Sequence, residues 1–222
     1  MSLRVLHVVG TYPTPEQPHA APFLKTQVES LRAVGVACDV LVLKGRGALK
    51  YLTGRRQVGR ALREADYDLI HAHYAYCAVP SFGHGLPVVT SFLGSDLYGP
   101  PRPDGSFAPA RKAVHHALCR WCIARSAAGI VKADRMKADL ERDVHVIPNG
   151  VNCDLFQPLD TDARAALREE MGFAENARYV IFGADPARAR KRFGLARDAV
   201  VEAARIAPFP LHLIAVHGQG YD

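Results

Sequence analysis

Long hydrophobic runs are absent from this sequence. No stretch reaches the roughly 18 consecutive apolar residues that a membrane-spanning helix needs. The first apolar stretch, residues 3–9, leads into polar and proline-rich sequence and not into a small-residue cleavage site, so a secretory signal peptide is not predicted. We therefore expect a soluble, cytoplasmic protein.

Cysteines are few and scattered. There are five, an odd number that does not frame short loops, so we predict reduced thiols and no disulfide. One helix seldom completes a tetrahedral metal site, and no second cysteine pair is available. The helical spacing of His115, His116, Cys119 and Cys122 would suit a metal, but thiols among Ala, Leu and Trp are usually core residues. We therefore predict no bound metal.

Two phosphate-binding signatures are also missing. The loop after the first apolar stretch, from Gly10 to Pro15, lacks the Gly-x-Gly-x-x-Gly pattern, whose glycines allow close approach to a pyrophosphate. No Walker loop occurs anywhere in the sequence. We predict no nicotinamide or flavin dinucleotide on the first turn, and no cofactor.

Positive charge is plentiful. The formal net charge is +6 and the isoelectric point is near 9.2, which favours an anionic partner. Seven of the Lys and Arg residues fall between Lys44 and Arg63, with no acid before Glu64. This segment predicts contact with an anionic membrane or a lipid diphosphate, and the alternative is a solvated helix and loop. Nucleic acid is not predicted, because no recognised binding motif is present.

Short β-branched runs alternate with segments of helical periodicity. This pattern predicts an α/β fold, with a Rossmann-like parallel sheet covered by helices on both faces. Helices are predicted over residues 22–34 and 108–128. The predicted strands of the first sheet are residues 3–9, 38–43, 69–73, 88–91, 129–131 and 144–147.

A domain boundary is predicted after the turn-forming segment at residues 147–151. We assign residues 1–157 to the first domain and residues 158–222 to a linker and a partial second unit. That unit reads as one β-α-β motif, with strands at 179–183 and 211–216 and a helix at 193–206, preceded by a helical stretch at 161–171. Because residues 217–222 do not resemble the end of such a repeat, we hypothesise that the chain is a piece of a longer protein.

Ligands of open parallel sheets bind beyond the carboxyl ends of the strands. His73 ends the third predicted strand, and Gly94, Ser95 and Asp96 follow the fourth, where the glycine permits a tight turn that can expose the carboxylate. Taken singly, each signal is also compatible with a structural histidine or an ordinary turn. Their placement at one sheet edge predicts a functional crevice.

Several motifs follow one another along most of the chain: Tyr12-Pro13, Phe23 with Gln27 and Leu31, residues 70–73, residues 94–96, and residues 146–151 followed by Phe156 and Pro158. Taken in order, they resemble glycosyltransferase family 4. The resemblance implies a GT-B architecture of two Rossmann-like domains, with the acceptor mainly on the first and the nucleotide-sugar donor mainly on the second. It also implies transfer with retention and without a metal.

The resemblance also implies roles for particular residues. Arg188 and Lys191 map to the pair that neutralises the diphosphate of a UDP- or GDP-sugar, where fixed cations stabilise the charge of the leaving group. Asp96 and His73 are the implied catalytic residues. The implied acceptor-side loop residues are Tyr12, Gly94 and Ser95. The implied reaction glycosylates a glycan or lipid-linked acceptor in cell-surface polysaccharide synthesis, at the inner face of the membrane if the basic segment binds lipid.

Three features depart from the family pattern. Ala20-Ala21-Pro22 stands where paired glycines are usual, and Leu93 stands where a histidine usually contacts the reacting sugar. The Glu-x7-Glu segment that holds the sugar and ribose is missing from the sequence. An alternative prediction is therefore a non-catalytic or degenerate acceptor-binding fragment without a complete donor site.

Overall fold

The computed structural model describes residues 3–102, 105–188 and 191–216. They form two compact units, the first from the described residues of 1–100 and 107–152 and the second from those of 101–106 and 153–222. The sequence-based domain boundary at residue 157 stays a prediction. The last segment, residues 217–222, on which the hypothesis of a longer protein rests, lies outside the described residues.

The first unit is built on a six-stranded parallel sheet with the strand order β2-β1-β3-β4-β5-β6. This confirms the predicted fold class, and each of the six predicted strands is present. The strands are β1 (Arg4–Val9), β2 (Ala37–Val42), β3 (Leu69–His73), β4 (Val88–Ser91), β5 (Ala128–Val131) and β6 (His145–Val146).

The helices of the first unit connect successive strands. The predicted helix at residues 108–128 is shorter than expected, because the chain turns after Ile123 to enter β5. Three helices are short: α3, the 3-10 turn that follows it, and α4. The full set is α1 (Pro22–Ala33), α2 (Leu49–Glu64), α3 (Ala75–Ala78) with a 3-10 turn (Val79–Ser81), α4 (Ser95–Tyr98), α5 (Pro109–Ile123) and α6 (Asp134–Leu140).

Right-handed crossovers place α1 on one face of this sheet and α2, α3, α5 and α6 on the other, because the chain first moves left from β1 to β2 and then only right. Side-chain alternation along β1 follows this division. Leu6 and Val8 join a core with residues of the four helices on the second face. His7 alternates with them and therefore points to the face of α1.

The second unit contains one parallel β-α-β motif, as the sequence pattern indicated. Its elements are α7 (Thr161–Glu170), β7 (Arg178–Phe182), α8 (Phe193–Ile206) and β8 (Leu211–Ala215). Asp160 caps α7 by accepting a hydrogen bond from the Ala163 amide. Across both units, none of the helices that the structure describes has the length and apolarity needed to span a bilayer.

Candidate functional site

The strand order of the first unit identifies one place where a ligand crevice should open. From β1 the chain goes to β2 on one side, and β3 occupies the other, so the sheet has its topological switch point between β1 and β3. The loops beginning at Gly10 and Tyr74 leave the sheet there, at its carboxyl edge. The candidate site consists of these loops and the segments in contact with them.

Three tyrosines meet beside this switch point and are called here the tyrosine cluster: Tyr51, Tyr74 and Tyr76. The ring centroid of Tyr76 lies 5.4 Å from that of Tyr51 and 5.3 Å from that of Tyr74. All three residues are half-buried. Half-exposed aromatic rings at a sheet edge provide apolar faces and hydroxyl groups for a polar ligand.

Lys50 ties the start of α2 to the loop after β1. Its Nζ atom donates a hydrogen bond to the Gly10 carbonyl at 2.8 Å and lies 5.2 Å from the centroid of the Tyr51 ring. A Cβ atom on Gly10 would lie 3.1 Å from the Tyr51 hydroxyl, so glycine permits this close approach. The lysine therefore brings a positive charge to the edge of the tyrosine cluster.

Tyr74 has a strained backbone. Its φ of 94° lies in a region that residues with bulky side chains rarely occupy, at a cost of about 1–3 kcal/mol. Its amide donates to the Ser91 carbonyl at 2.8 Å, which fixes the residue against the end of β4. Strain of this kind persists only where neighbouring contacts enforce it, and it is frequent at functional sites.

Asp96 supplies part of that enforcement. The residue is fully buried, and its two carboxylate oxygens accept hydrogen bonds of 2.9 Å each from the amides of Ala75 and Leu93. Burial raises the pKa of this carboxyl group, and the bonds from backbone amides oppose that rise. The side chain thus joins the loop after β3 to the loop after β4. Its catalytic role stays a prediction.

His7, His71 and His73 form a buried cluster, called here the histidine triad, on the sheet face that carries α1. His7 Nδ1 and His73 Nε2 are 3.0 Å apart, and His71 Nε2 lies 2.9 Å from the Ser91 hydroxyl. Burial lowers the pKa of His7 to about 4 and that of His71 to about 3, and it holds the pKa of His73 well below its usual value. All three rings are therefore neutral near pH 7.

The histidine triad does not suit a divalent cation. Among the described residues, its members are the group whose possible ligand atoms lie within 4.8 Å of one another, but His7 Nδ1 and His73 Nε2 are 3.0 Å apart and bond to each other. The rings of His71 and His73 are stacked, with centroids 4.1 Å apart, so their ring-plane lone pairs do not converge on one point. The positive charge of Lys132 also lowers the pKa of both residues.

The two cysteines of α5 take part in helix packing. Cys119 and Cys122 are fully buried on α5. The Cys119 thiol donates to the Asp96 carbonyl at 3.3 Å, and the Cys122 thiol donates to the Ala75 carbonyl at 3.6 Å. Burial raises the pKa of Cys122 to about 12 and keeps that of Cys119 far above its usual value. Both thiols are unreactive near neutral pH.

The remaining predicted residues of the first unit lie in crevice loops. Tyr12 is half-buried in the loop after β1, and burial raises the pKa of its hydroxyl. Gly94 has a φ of 94°, which a glycine adopts without strain, and Ser95 begins α4 with a hydrogen bond to the Tyr74 side chain. His73 lies at the same sheet edge but is fully buried.

Arg188 and Lys191 lie together in the second unit, in the segment between β7 and α8. Both are exposed. The Nε atom of Arg188 is 3.4 Å from Asp185 Oδ2, and the Lys191 amide donates to the Arg188 carbonyl at 2.8 Å. The predicted cation pair is therefore held in one turn at the carboxyl end of a strand.

Sequence reasoning missed Tyr51, Tyr76 and Lys132. Lys132 follows β5 directly and is half-buried, and burial lowers the pKa of its amine. Because Lys132 directly follows a predicted strand, the sequence could have placed it at the crevice edge, as it placed His73. The two tyrosines gave no such signal, because they lie in α2 and α3, which only the folded chain brings together.

With this geometry described, comparison with known proteins identifies the class. The fold is that of the GT-B glycosyltransferases: sucrose-phosphate synthase from Thermosynechococcus elongatus superimposes with a TM-score of 0.68 at 15% identity, over 98% of this chain and 63% of that one. HepE from Anabaena, solved in complex with UDP and glucose, gives a TM-score of 0.57 at 17% identity, over 95% of this chain and 60% of HepE. The chain belongs to Glycosyltransferase Family 4, whose model matches residues 6–155.

A curated relative is also similar to this chain. D-inositol 3-phosphate glycosyltransferase 1 of Catenulispora acidiphila is 28% identical over an alignment of 177 residues, and the match covers 65% of this chain. This chain spans about 40% of the length of that relative. The resemblance to family 4 noted in the sequence is thereby confirmed.

Proposed function

We propose that this chain is part of an enzyme that transfers a sugar from a UDP- or GDP-sugar to a hydroxyl group of an acceptor, with retention of configuration and without a metal. The observation that carries the proposal is the tyrosine cluster at the topological switch point of the unit that the family 4 model matches. The first unit would bind the acceptor and the second would hold the donor. Binding of nucleotide sugars to the purified chain tests it.

On the donor side, Arg188 and Lys191 would stabilise the diphosphate as it leaves. Two cations in one exposed turn can meet a dianionic group, and charge-assisted hydrogen bonds are about twice as strong as neutral ones. The pair would lower the barrier because negative charge grows on the diphosphate in the transition state.

Replacing both Arg188 and Lys191 with alanine is expected to weaken binding of a UDP- or GDP-sugar by at least about tenfold, measured by titration calorimetry. The matched control removes two exposed cations of α8 in the same unit, Arg197 and Arg205, and should bind the donor like the parent. Equal weakening by both variants would show a nonspecific charge effect. No binding of any donor by the parent chain would favour the second candidate, a non-catalytic acceptor-binding protein, which Leu93 in place of the usual histidine also favours.

On the acceptor side, the tyrosine cluster would pack on a hydroxylated ring while Lys50 meets an anionic group. The relative from Catenulispora is named for D-inositol 3-phosphate, a ring of hydroxyls that bears one phosphate. A lipid-linked glycan would present the same chemistry through its diphosphate. The proposed acceptor therefore combines hydroxyl groups with a phosphate. If the acceptor is lipid-linked, the proposed reaction belongs to cell-surface polysaccharide synthesis.

Replacing Tyr76 with alanine is expected to weaken binding of D-inositol 3-phosphate by about fivefold, because the central ring of the cluster is lost. The Tyr76→Phe variant keeps the ring and loses only the hydroxyl, which lies 3.3 Å from His115 Nδ1, so it should bind nearly like the parent. Calorimetry with D-inositol 3-phosphate, free inositol and a detergent-solubilised prenyl diphosphate separates the two acceptor types. Unchanged binding in Tyr76→Ala would remove the cluster from the acceptor site.

The proposal also includes peripheral contact between α2 and an anionic membrane, at the cytoplasmic face. Leu49 and Leu52 are 66% and 77% exposed on the first turn of the helix. Arg56, Arg60 and Arg63 follow on the exposed part of the same helix. Exposed leucines beside arginines match the pattern by which amphipathic helices enter the boundary between headgroups and acyl chains.

A further inference from the structure

A groove opens between α2 and α5, next to the amino ends of β4 and β5. These helices have 16 and 15 residues, whereas the segment between them, α3 with the 3-10 turn, has only four and three residues. The short segment leaves a trough of about 720 Å³. It is called here the Trp121 groove and is lined by Arg55, Val79, Phe82, Leu86, Trp121 and Arg125, among others.

The floor of the groove is aromatic and its walls are cationic. The rings of Phe82 and Trp121 meet edge to face, with centroids 5.5 Å apart, and Trp121 remains 39% exposed. Arg55 comes from α2, and Arg125 follows the last turn of α5. Within the part of the chain that the structure describes, no acidic residue lines the groove.

The two arginines differ in what they already bind. Arg55 donates hydrogen bonds to the carbonyls of Phe82 and Gly83, so it fixes the loop that forms one wall. Arg125 stacks on the Trp121 ring, with its guanidinium carbon 4.1 Å from the ring centroid, and has one long contact of 3.5 Å to the Trp121 carbonyl. The groove is therefore pre-formed, with a guanidinium whose donors can turn to a ligand.

We propose that the Trp121 groove binds the phosphodiester headgroup of an anionic phospholipid. Arg125 would donate to the phosphate, and the glycerol and first methylenes would lie on Phe82, Leu86 and Trp121. Charge complementarity carries the choice of occupant, since cationic walls around an aromatic floor match an anion attached to an apolar chain. The inference rests on the proposed membrane contact of α2, the helix that supplies Arg55, and it adds a defined headgroup site to that contact.

Trp121 is the only tryptophan of the chain, so its fluorescence reports on this groove alone. Titration with vesicles of phosphatidylglycerol and phosphatidylcholine is expected to shift its emission to shorter wavelength, because lipid replaces water at the ring. Vesicles of pure phosphatidylcholine should not produce the shift. Free glycerol phosphate tests whether the ligand is a soluble phosphate compound instead. If the protein bound glycerol phosphate saturably and as tightly as it binds the vesicles, the lipid assignment would be overturned.

The Arg125→Gln variant is expected to lose the shift and to partition into anionic vesicles about fivefold more weakly in co-sedimentation, the ratio expected for one cation near an anionic surface. The control is Lys25→Gln, which removes one positive charge from the exposed side of α1, on the other face of the sheet, and should behave like the parent.

If both variants bind vesicles like the parent and Trp121 does not respond, the groove inference fails while the proposed membrane contact of α2 stands. If the parent binds no vesicles, the groove inference and the proposed α2 contact both fail. A shift that depends on protein concentration without lipid would instead assign the groove to a second copy of the chain.

Discussion

Replacing Asp96 with alanine is expected to lower the free energy of unfolding of the first unit by about 3 kcal/mol. The change leaves the buried amide of Ala75 and the partly buried amide of Leu93 without their acceptor, and each unsatisfied buried donor costs about 1–3 kcal/mol. Relief from burying the carboxylate offsets part of this cost. Urea denaturation followed by Trp121 emission measures the effect on the unit that contains Asp96.

Two further variants make this expectation specific. Asp96→Asn keeps one oxygen acceptor and should lose about half as much stability as Asp96→Ala. Asp143→Ala removes an exposed carboxylate from the same unit and should leave the urea midpoint unchanged. If Asp96→Ala were as stable as the parent, the carboxylate would not be holding the two loops, and its direct participation in catalysis would become the better explanation of its position.

The strands of the first sheet could be predicted because parallel strands covered on both faces appear as short apolar runs between helical segments. The predicted β3 and β4 agree with the structure residue for residue, at 69–73 and 88–91. The short helices α3 and α4 could not be predicted in this way. One turn of helix contains too few residues to show a periodicity.

The candidate site was predictable in position but only partly in detail. Sheet topology brings the ends of parallel strands to one edge, so His73 and Gly94 lie at the same edge of the sheet, and their functional roles stay predictions. Whether Asp96 would be exposed or buried depended on which amides met its oxygens, and the same Gly-Ser-Asp sequence allows both outcomes. The tyrosine cluster depends on contacts between α2 and the loop after β3, which no local pattern encodes.

The buried Asp96 and the strained Tyr74 belong to one arrangement. The carboxylate holds the residue that follows Tyr74, and the Tyr74 amide is bonded to the end of β4. These two bonds enforce the unfavourable φ of Tyr74 and place its ring beside Tyr76. Stability of the first unit and the shape of its crevice are therefore coupled through Asp96.

Acidification from pH 7.5 to pH 5.0 is expected to destabilise the first unit by about 2 kcal/mol for each member of the histidine triad. In the unfolded chain these histidines take up a proton near pH 6.5, whereas burial lowers the folded-state pKa of His7 to about 4 and that of His71 to about 3. Above pH 6.5 both states are neutral and the triad causes no pH dependence. Below pH 6.5 the unfolded state binds more protons than the folded state. The free energy of unfolding therefore decreases as the pH is lowered, until the pH reaches the folded-state pKa values.

His73→Gln tests this assignment, because glutamine can still bond to His7 Nδ1 but does not titrate. The variant's loss of stability between pH 7.5 and pH 5.0 should be smaller than the parent's by about 2 kcal/mol, measured by urea denaturation at the two pH values. His145→Gln removes an exposed histidine at the edge of the same sheet and should show the full loss of the parent. If all three proteins lost the same stability, acid sensitivity would have to arise from carboxylates and not from the triad. A smaller loss in His73→Gln alone would show that the neutral, buried state of these rings limits the pH range in which the crevice stays folded.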